Sequence, residues 1–365
     1  MTNVGDIYNF IDSFAPFESA MSFDNVGLLV GDKKQNISTV ILALDITEDV
    51  INEAKDKNAE LIISHHPVIF NPIKNLSSGS IPYLLAKNNI SAICAHTNLD
   101  MANGGVNTCL ADCLGLTKLK PLNVYSERNY NKIVVFVPKK YGNAVRQAMT
   151  SNGAGKLGNY CDCTFSSTGT GRFTPLQGAN PFVGNISQTE EVNEERIEVI
   201  CPPSRTRDVI KAMIKAHPYE EPAFDIFETS AIREQNICGL VGSLEQEYNA
   251  SEFAKLVEKS LNCNGVRYVN GDKPIKKVGL CSGSGGDLIF NAIELGVDAY
   301  VTGEIKHHEL LAAKQHGITV VDAGHFCTED IVIPNLRDRL KSKFGDVEFI
   351  KSEKLNDMFT YIRKE

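Results

Sequence analysis

Short, continuous apolar runs alternate with amphipathic segments in this chain, and this alternation constrains the fold more than any other feature. In the first part of the sequence, the apolar runs cover residues 39–45, 60–64 and 91–95. The segments between them, 48–57 and 81–89, have helical periodicity, and Thr47 is placed to cap the first of them. Apolar strands that alternate with amphipathic helices are typical of a parallel sheet covered on both faces. The sequence therefore predicts an α/β fold.

The same alternation returns near the C-terminus, with apolar runs at residues 277–281, 298–302 and 318–322. Between the two α/β parts the pattern changes. Residues 127–232 contain two successive strand–helix–strand patterns around a stretch rich in Gly, Pro and Asn, which is the signature of a ferredoxin-like α+β domain. We therefore predict that 127–232 is an insert, and that 1–126 and 233–365 form one α/β domain whose two halves meet in space.

Charge and composition narrow the classes of function. The formal net charge is -8, which disfavours a protein whose main task is binding nucleic acid. No apolar run approaches the ~20 residues that span a bilayer, and the N-terminal segment resembles neither a signal peptide nor a transit peptide. The 10 cysteines include no CxxC pair and indicate reduced thiols. These features predict a cytoplasmic protein without a membrane partner.

Polar residues follow the predicted strands at their carboxyl ends, where ligands gather in open parallel sheets. The side chains that we single out on this basis as metal ligands are His65, His66, Asp100, His325 and Glu329. His325 and Glu329 are four residues apart and would share one face of a helix. Three imidazoles and two carboxylates suit zinc, manganese, iron(II) or cobalt and contain too much nitrogen for calcium. Since a carboxylate can bridge, two divalent ions are favoured over one.

Each of these residues also has a simpler interpretation. A His-His pair is often structural, a His and a Glu four residues apart often form a surface ion pair, and Asp100 could cap a helix. Their joint position at the ends of separate strands favours the metal site.

Further candidates lie at the same strand ends. His96 is either a residue that orients a metal ligand without binding the metal itself, or a core histidine. Glu304 is a candidate acid/base or orienting carboxylate, and His308 a candidate proton relay or an exposed helix residue. The glycine-rich segment 281–287 resembles a phosphate-binding loop or is a tight turn, and Leu288 in place of a third glycine disfavours dinucleotide binding.

Four motifs, in order, resemble those of the Nif-three-like proteins: SHHPVIF, AHTNLDMANGGVN, TGEIKHHE and DAGHFCTED. FDNVGLLVG near residue 23 and NPFVG near residue 180 also fit, so the resemblance spans nearly the whole chain. Phe23 stands where the family usually has Trp, and Met358 where proline is common.

The resemblance implies a role for each ligand. His65 and His66 would bind different metals, Asp100 one metal, His325 the other, and Glu329 would bridge both. It further implies a layered α/β sandwich unit with a PII/CutA-like insert, a toroidal homohexamer, and two divalent transition-metal ions per chain, with zinc as the first expectation.

Many members of this family carry the name type 2 GTP cyclohydrolase I, which implies hydrolytic opening of the guanine ring of GTP with release of formate. Glu304 or His308 would move protons in that reaction. Two alternatives stay open: another metal-dependent nucleotide or phosphoester hydrolase, and a non-catalytic metal-binding regulatory hexamer whose insert senses a small molecule.

Overall fold

The structure is a computed structural model that describes residues 1–360. It divides into two compact units. The first unit comprises Met1–Tyr125 and the chain from Asn236 onward, and the second unit comprises Ser126–Gln235. The predicted insert, 127–232, falls inside the second unit.

The strands, in chain order, are β1 Gly27–Val30, β2 Thr39–Ala43, β3 Leu61–Ser64, β4 Ser91–Cys94, β5 Thr117–Pro138, β6 Thr164–Phe173, β7 Glu190–Cys201, β8 Phe224–Tyr248, β9 Arg267–Val269, β10 Ile275–Cys281, β11 Ala299–Thr302, β12 Thr319–Asp322 and β13 Glu348–Lys351. The helices are α1 Val4–Phe14, α2 Glu48–Asp56, α3 Ile81–Lys87, α4 Thr97–Met101, α5 Val106–Cys113, α6 Gly142–Ser151, α7 Thr206–Ala216, α8 Ala250–Ser260, α9 Ile289–Glu294, α10 His307–Gln315, α11 His325–Glu329 and α12 Val332–Lys343. None of the helices in this described part combines the length and apolar character needed to cross a bilayer.

The first sheet of the first unit has the strand order β1-β4-β3-β2-β13. Its central strands β2, β3 and β4 are parallel and fully buried, as their continuous apolar sequences predict. Thr47 caps α2 by accepting a hydrogen bond from the Val50 amide, which confirms the predicted cap. β13, from the C-terminal part of the chain, pairs in parallel with β2, so this sheet contains strands from both halves of the unit.

The second sheet of this unit places β8, β10, β11, β12 and β9 side by side. β10, β11 and β12 are parallel, as predicted, whereas β8 and β9 flank them in the antiparallel direction. β1 likewise runs antiparallel to β4 in the first sheet. The prediction of a purely parallel sheet is therefore wrong at the flanks, because a flanking strand can reverse direction without a crossover helix. The first unit is therefore a mixed α/β unit, and both of its sheets are mixed.

The second unit follows the predicted order of strand, helix, strand, strand, helix, strand, with the strands arranged β6-β7-β5-β8. α6 and α7 cover one face of this sheet, where Ile133, Val135, Ile197 and Val199 are buried. β5 and β8 are much longer than the apolar runs that predicted them. Most of the extra residues of β5 are exposed, so a search for apolar runs marks only its buried end.

Candidate metal centre

The side chains that were predicted to bind metal lie at the carboxyl ends of strands in the first unit. His65 and His66 directly follow β3, and Asp100 lies on α4, which begins soon after β4. His325 and Glu329 are the first and last residues of α11, which begins soon after β12. The structure brings all of them together in one cluster.

Every histidine of the cluster has its Nδ1 atom beside an oxygen that can only accept a hydrogen bond. Nδ1 of His65 donates to the carbonyl oxygen of Ala95 at 2.8 Å, and Nδ1 of His66 donates to Oδ1 of Asp45 at 2.8 Å. Nδ1 of His325 donates to Oε1 of Glu304 at 2.9 Å. This arrangement fixes the tautomer and turns the Nε2 atom of each ring toward the cluster, as is usual for histidines that bind metals.

His96 is held in the same way, since its Nδ1 donates to Oδ1 of Asp24 at 2.9 Å. Asp24 also accepts hydrogen bonds from the amide and the hydroxyl of Thr97. Burial raises the pKa of Asp24, but these hydrogen bonds and the charge of His96 lower it to about 2. A ring atom of His96 lies close enough to those of His65 and His66 for the three to share an ion.

The inward-facing atoms surround Glu329, whose side chain is almost fully buried. Its Oε2 lies 3.0 Å from Nε2 of His66 and 3.1 Å from Nε2 of His325. Its Oε1 lies 3.9 Å from Nε2 of His65, which in turn lies 3.5 Å from Oδ1 of Asp100. One carboxylate oxygen thus faces His66 and His325, and the other faces His65 and Asp100.

Burial and charge strongly perturb the protonation of these groups. Burial lowers the pKa of His65 to about 4. Burial also opposes the charge on His66, but hydrogen bonds to Asp45 and Glu329 raise its pKa to about 10. Burial and the charge of Glu329 raise the pKa of Asp100 well above its ordinary value. Burial, coupled charges and strong pKa shifts of opposite sign in one place are typical of functional sites.

These residues fit a metal centre. Nε2 of His65 and Oδ1 of Asp100 are buried and have no hydrogen-bond partner. Leaving such atoms unpaired is unfavourable by about 1–3 kcal/mol each, and a cation would satisfy them. Two groups share the Glu329 carboxylate, one with His66 and His325 and the other with His65 and Asp100, and each could hold an ion. Whether ions bind, and which, stays a prediction.

The glycine-rich segment after β10 lies against this cluster. Gly283 has φ +58°, and a Cβ atom there would lie 2.1 Å from Oε1 of Glu329. The amide of Gly283 donates to Oγ1 of Thr328, and the amide of Ser282 donates to Oδ1 of Asn107. Sequence analysis offered two interpretations of this segment, a phosphate-binding loop or a tight turn, and neither included this close contact with the candidate metal ligands.

The other predicted site residues lie at different distances from the cluster. Glu304 contacts it through His325, which is the orienting role that the sequence left open for this carboxylate. His308 is exposed on α10 and lies 3.8 Å from Glu309, and the structure does not bring it into the cluster.

Sequence reasoning missed Asp24 and gave Asp45 no role. Both are isolated acidic residues whose function depends on a ring distant in sequence. The only available signal for Asp45 was its position at the end of an apolar run.

A cavity of about 960 Å³ opens beside His325 in the first unit. Its lining includes Glu304, Lys306, Arg267 and Ser284. Its volume is at the upper end of the range of ligand pockets, about 300–1,000 Å³.

The fold and this cluster define a mixed α/β protein with a histidine–carboxylate site that could hold metal ions. The sequence profile of Duf34/NIF3 (NGG1p interacting factor 3) matches residues 2–357, and the chain belongs to this family. This confirms the resemblance to the Nif-three-like proteins.

Two of the relatives are bacterial proteins named "GTP cyclohydrolase 1 type 2 homolog". The one from Bacillus subtilis (strain 168) is 39% identical over 369 residues, covering 99% of both chains. The one from Halalkalibacterium halodurans is 37% identical over 371 residues, covering 99% of this chain and 100% of the relative. Among solved structures, a Bacillus cereus protein related to NIF3 is similar with TM-score 0.84 at 38% identity, covering 99% of both chains.

Proposed function

We propose that this protein is a metal-dependent hydrolase that holds two divalent transition-metal ions between His65, His66, Asp100, His325 and Glu329. The observation that carries the proposal is the set of buried, unpartnered Nε2 and carboxylate oxygen atoms that converge on one space. His66, His325 and one oxygen of Glu329 would hold one ion. His65, Asp100 and the other oxygen of Glu329 would hold the second ion. His96 lies beside His65 and could supply a further imidazole.

The donor set favours zinc, with manganese, iron(II) and cobalt as alternatives. Two such ions, when bound, supply Lewis-acid activation of water for hydrolysis at neutral pH. The chain itself positions the rings: the oxygens of Asp45, Glu304 and Ala95 hold the Nδ1–H groups and keep each Nε2 atom directed inward.

The proposed reaction is the opening of the guanine ring of GTP with release of formate. It is supported by the names of relatives at 35–39% identity that cover nearly the whole chain and by the cavity beside His325. Lys306 and Arg267 line that cavity and can contact the phosphates, although Arg267 also pairs with Asp322. Glu304, which is more than half exposed and hydrogen-bonded to His325, is placed to exchange a proton with a group bound there. His308 is the second candidate for proton transfer.

The experiment combines metal content and turnover in one set of variants. Protein purified without added metal or chelator is analysed for bound metals, and formate release from GTP is then followed with and without reconstitution. Glu329→Gln keeps the shape of the side chain but removes the charge shared by both ion sites. Glu294→Gln, an exposed carboxylate at the end of α9, is the matched control.

We expect about two ions per chain in the wild type and in Glu294→Gln, metal-dependent formate release in both, and the loss of both properties in Glu329→Gln. Metal binding without turnover on GTP would refute the GTP reaction, and a screen of nucleotides and phosphoesters would follow. Little metal in the wild type after reconstitution would refute the metal centre itself.

Two finer features belong to the same proposal. We propose that the second unit is PII/CutA-like, supported by its strand–helix–strand, strand–helix–strand order and the strand order β6-β7-β5-β8. We also propose, on the family resemblance alone, that the protein forms a toroidal homohexamer. Light scattering tests this directly, because a mass other than six times that of one chain would contradict it.

A further inference from the structure

The second unit contains a cavity of its own, about 600 Å³ in volume, which the proposed hydrolase does not use. It lies on the side of the sheet opposite α6 and α7. In β5 and β7, residues such as Val135 and Ile197 face the helices, while the alternate residues Phe136, Glu194 and Arg196 line the cavity. We call this space the second-unit cavity.

Two glycines of β6 shape its floor. A Cβ atom on Gly171 would lie 2.1 Å from Oε2 of Glu194, so this glycine leaves the room that the carboxylate occupies. A Cβ atom on Gly169 would meet nothing within 4 Å, so a side chain there would project into open space. Both glycines line the second-unit cavity, and neither has a positive φ.

Aromatic rings form its walls. The ring centroid of Tyr219 lies 5.7 Å from that of Phe173 and 6.2 Å from that of Phe182. Tyr219 is fixed at both ends: its hydroxyl donates to Oε1 of Glu194 at 2.9 Å, and its amide donates to Nδ1 of His217 at 3.1 Å. These contacts hold the aromatic wall of the second-unit cavity in place before any ligand binds.

His217 is itself held in one tautomer. Its Nε2 donates to the carbonyl oxygen of Phe136 at 2.9 Å, so Nδ1 is free to accept from Tyr219. Burial lowers the pKa of His217, which keeps the ring neutral. The histidine thus ties the turn that carries Tyr219 to the sheet beneath the second-unit cavity.

The uncompensated charge of the second-unit cavity is negative. Both arginines that line it are paired with carboxylates outside it, Arg172 with Glu191 at 2.6 Å and Arg196 with Glu198 at 3.1 Å. Glu194 is only 8% exposed, and in residues 1–360 it forms no ion pair. Two further lining carboxylates follow Tyr219 in the chain.

We propose that the second-unit cavity binds a small organic cation, an amine carried on a planar ring. The ammonium group lies against Glu194, and the ring packs against the wall formed by Phe173, Phe182 and Tyr219. A buried carboxylate recognises an ammonium group through a charge-assisted hydrogen bond, and an aromatic wall beside it recognises a planar ring through ring–ring packing. This site is independent of the metal centre and of the hydrolase proposal.

Three soluble probes of nearly the same shape test which ligand charge the second-unit cavity prefers. Tyramine is a cation, tyrosol its neutral analogue, and 4-hydroxyphenylacetate its anion. Isothermal titration with the full-length protein should show tyramine binding once per chain and about tenfold or more tighter than either analogue. Binding should persist in Glu329→Gln, which separates the second-unit cavity from the metal centre.

Two pairs of variants locate the site. Gly169→Leu should fill the second-unit cavity and abolish tyramine binding, whereas Gly345→Leu, the same change at an exposed glycine with nothing within 4 Å, should not alter it. Glu194→Gln should weaken tyramine binding about tenfold or more without affecting tyrosol, whereas Glu228→Gln, an exposed carboxylate of the same unit, should leave both unchanged.

Absence of tyramine binding at millimolar concentration would overturn the proposal. Equal binding of the three probes, or tyramine binding that survives both Gly169→Leu and Glu194→Gln, would overturn it as well. An unchanged melting temperature in Gly169→Leu and Glu194→Gln shows that these variants fold, so a loss of binding then reports on the cavity.

Discussion

Replacing Gly283 with alanine should damage the metal centre while leaving the fold in place. Gly283 has φ +58°, a backbone conformation in which a side chain is strained. The new Cβ atom would lie 2.1 Å from Oε1 and 3.1 Å from Cδ of Glu329, and 3.4 Å from Cε1 of His325. The substitution therefore acts on the carboxylate shared by both proposed ion sites.

The magnitude has two parts. The left-handed backbone conformation destabilises the alanine variant by about 1 kcal/mol relative to glycine. Reaching an ordinary contact distance requires a movement of about 1 Å by Oε1 of Glu329, a buried side chain held between His66 and His325. A displacement of this kind should weaken metal binding by roughly 10–100-fold or more. That is the loss of affinity typical when a residue that positions a metal ligand is removed.

Gly296→Ala is the matched control, because Gly296 also has a positive φ, +62°, but its Cβ atom would meet nothing within 4 Å. Both variants should lose about 1 kcal/mol from backbone strain in urea unfolding, measured on metal-free protein, and Gly283→Ala should lose more because the buried Glu329 carboxylate must move. Only Gly283→Ala should lose metal in competition with a chelator. Equal metal affinity in the two variants would refute the close contact between Gly283 and Glu329.

Three further predictions test the support of the site and the stability of the first unit. Asp45→Ala removes the acceptor for Nδ1 of His66 and should lower metal affinity about 10–100-fold in chelator competition; an unchanged affinity would mean that Asp45 does not position the ring. Burial raises the pKa of Glu60, but hydrogen bonds from Ser38 and the neighbouring amide outweigh burial and lower the pKa overall. The ionised Glu60 side chain therefore stabilises the fold above the pKa of the unfolded state, and this stabilisation is lost as the pH falls through the pKa of the folded state. Glu60→Gln should therefore lower the unfolding free energy by about 1–2 kcal/mol at neutral pH and by less at about pH 3, and urea melts showing a pH-independent difference would contradict this. Phe253→Ala empties a fully buried core position and should lower the unfolding free energy by about 3–5 kcal/mol, whereas a loss below about 1 kcal/mol would mean that the core refills the space.

The features that sequence predicted well are those that local pattern determines. The buried parallel strands β2, β3 and β4 are continuous apolar runs, and the polar residues that follow such strands must lie at one edge of the sheet. For this reason His65 and Asp100 could be assigned to one site without knowledge of the fold. The four-residue spacing in α11 likewise placed His325 and Glu329 on one face.

Features that depend on distant pairing could not be predicted. Nothing local indicates that β13 pairs with β2, or that β1 and β9 run antiparallel to their neighbours. The same holds for Asp24, which orients His96 across 72 positions of sequence. A lone aspartate in a loop has no periodicity or spacing that reveals its partner.

Ring orientation, burial and unpaired polar atoms together argue for an ion site over a purely structural cluster of ion pairs. In a structural cluster, each ring would use both nitrogens for hydrogen bonds, and the carboxylates would be fully paired. Here the Nδ1 atoms of the cluster histidines are committed to oxygens, and Nε2 of His65 and Oδ1 of Asp100 remain buried without partners. Gly283 keeps the space beside Glu329 clear, in a left-handed backbone conformation that glycine adopts without strain. Natural sequences keep buried, unpaired polar atoms mainly where function requires them, and a cation bound between these atoms would satisfy them at once.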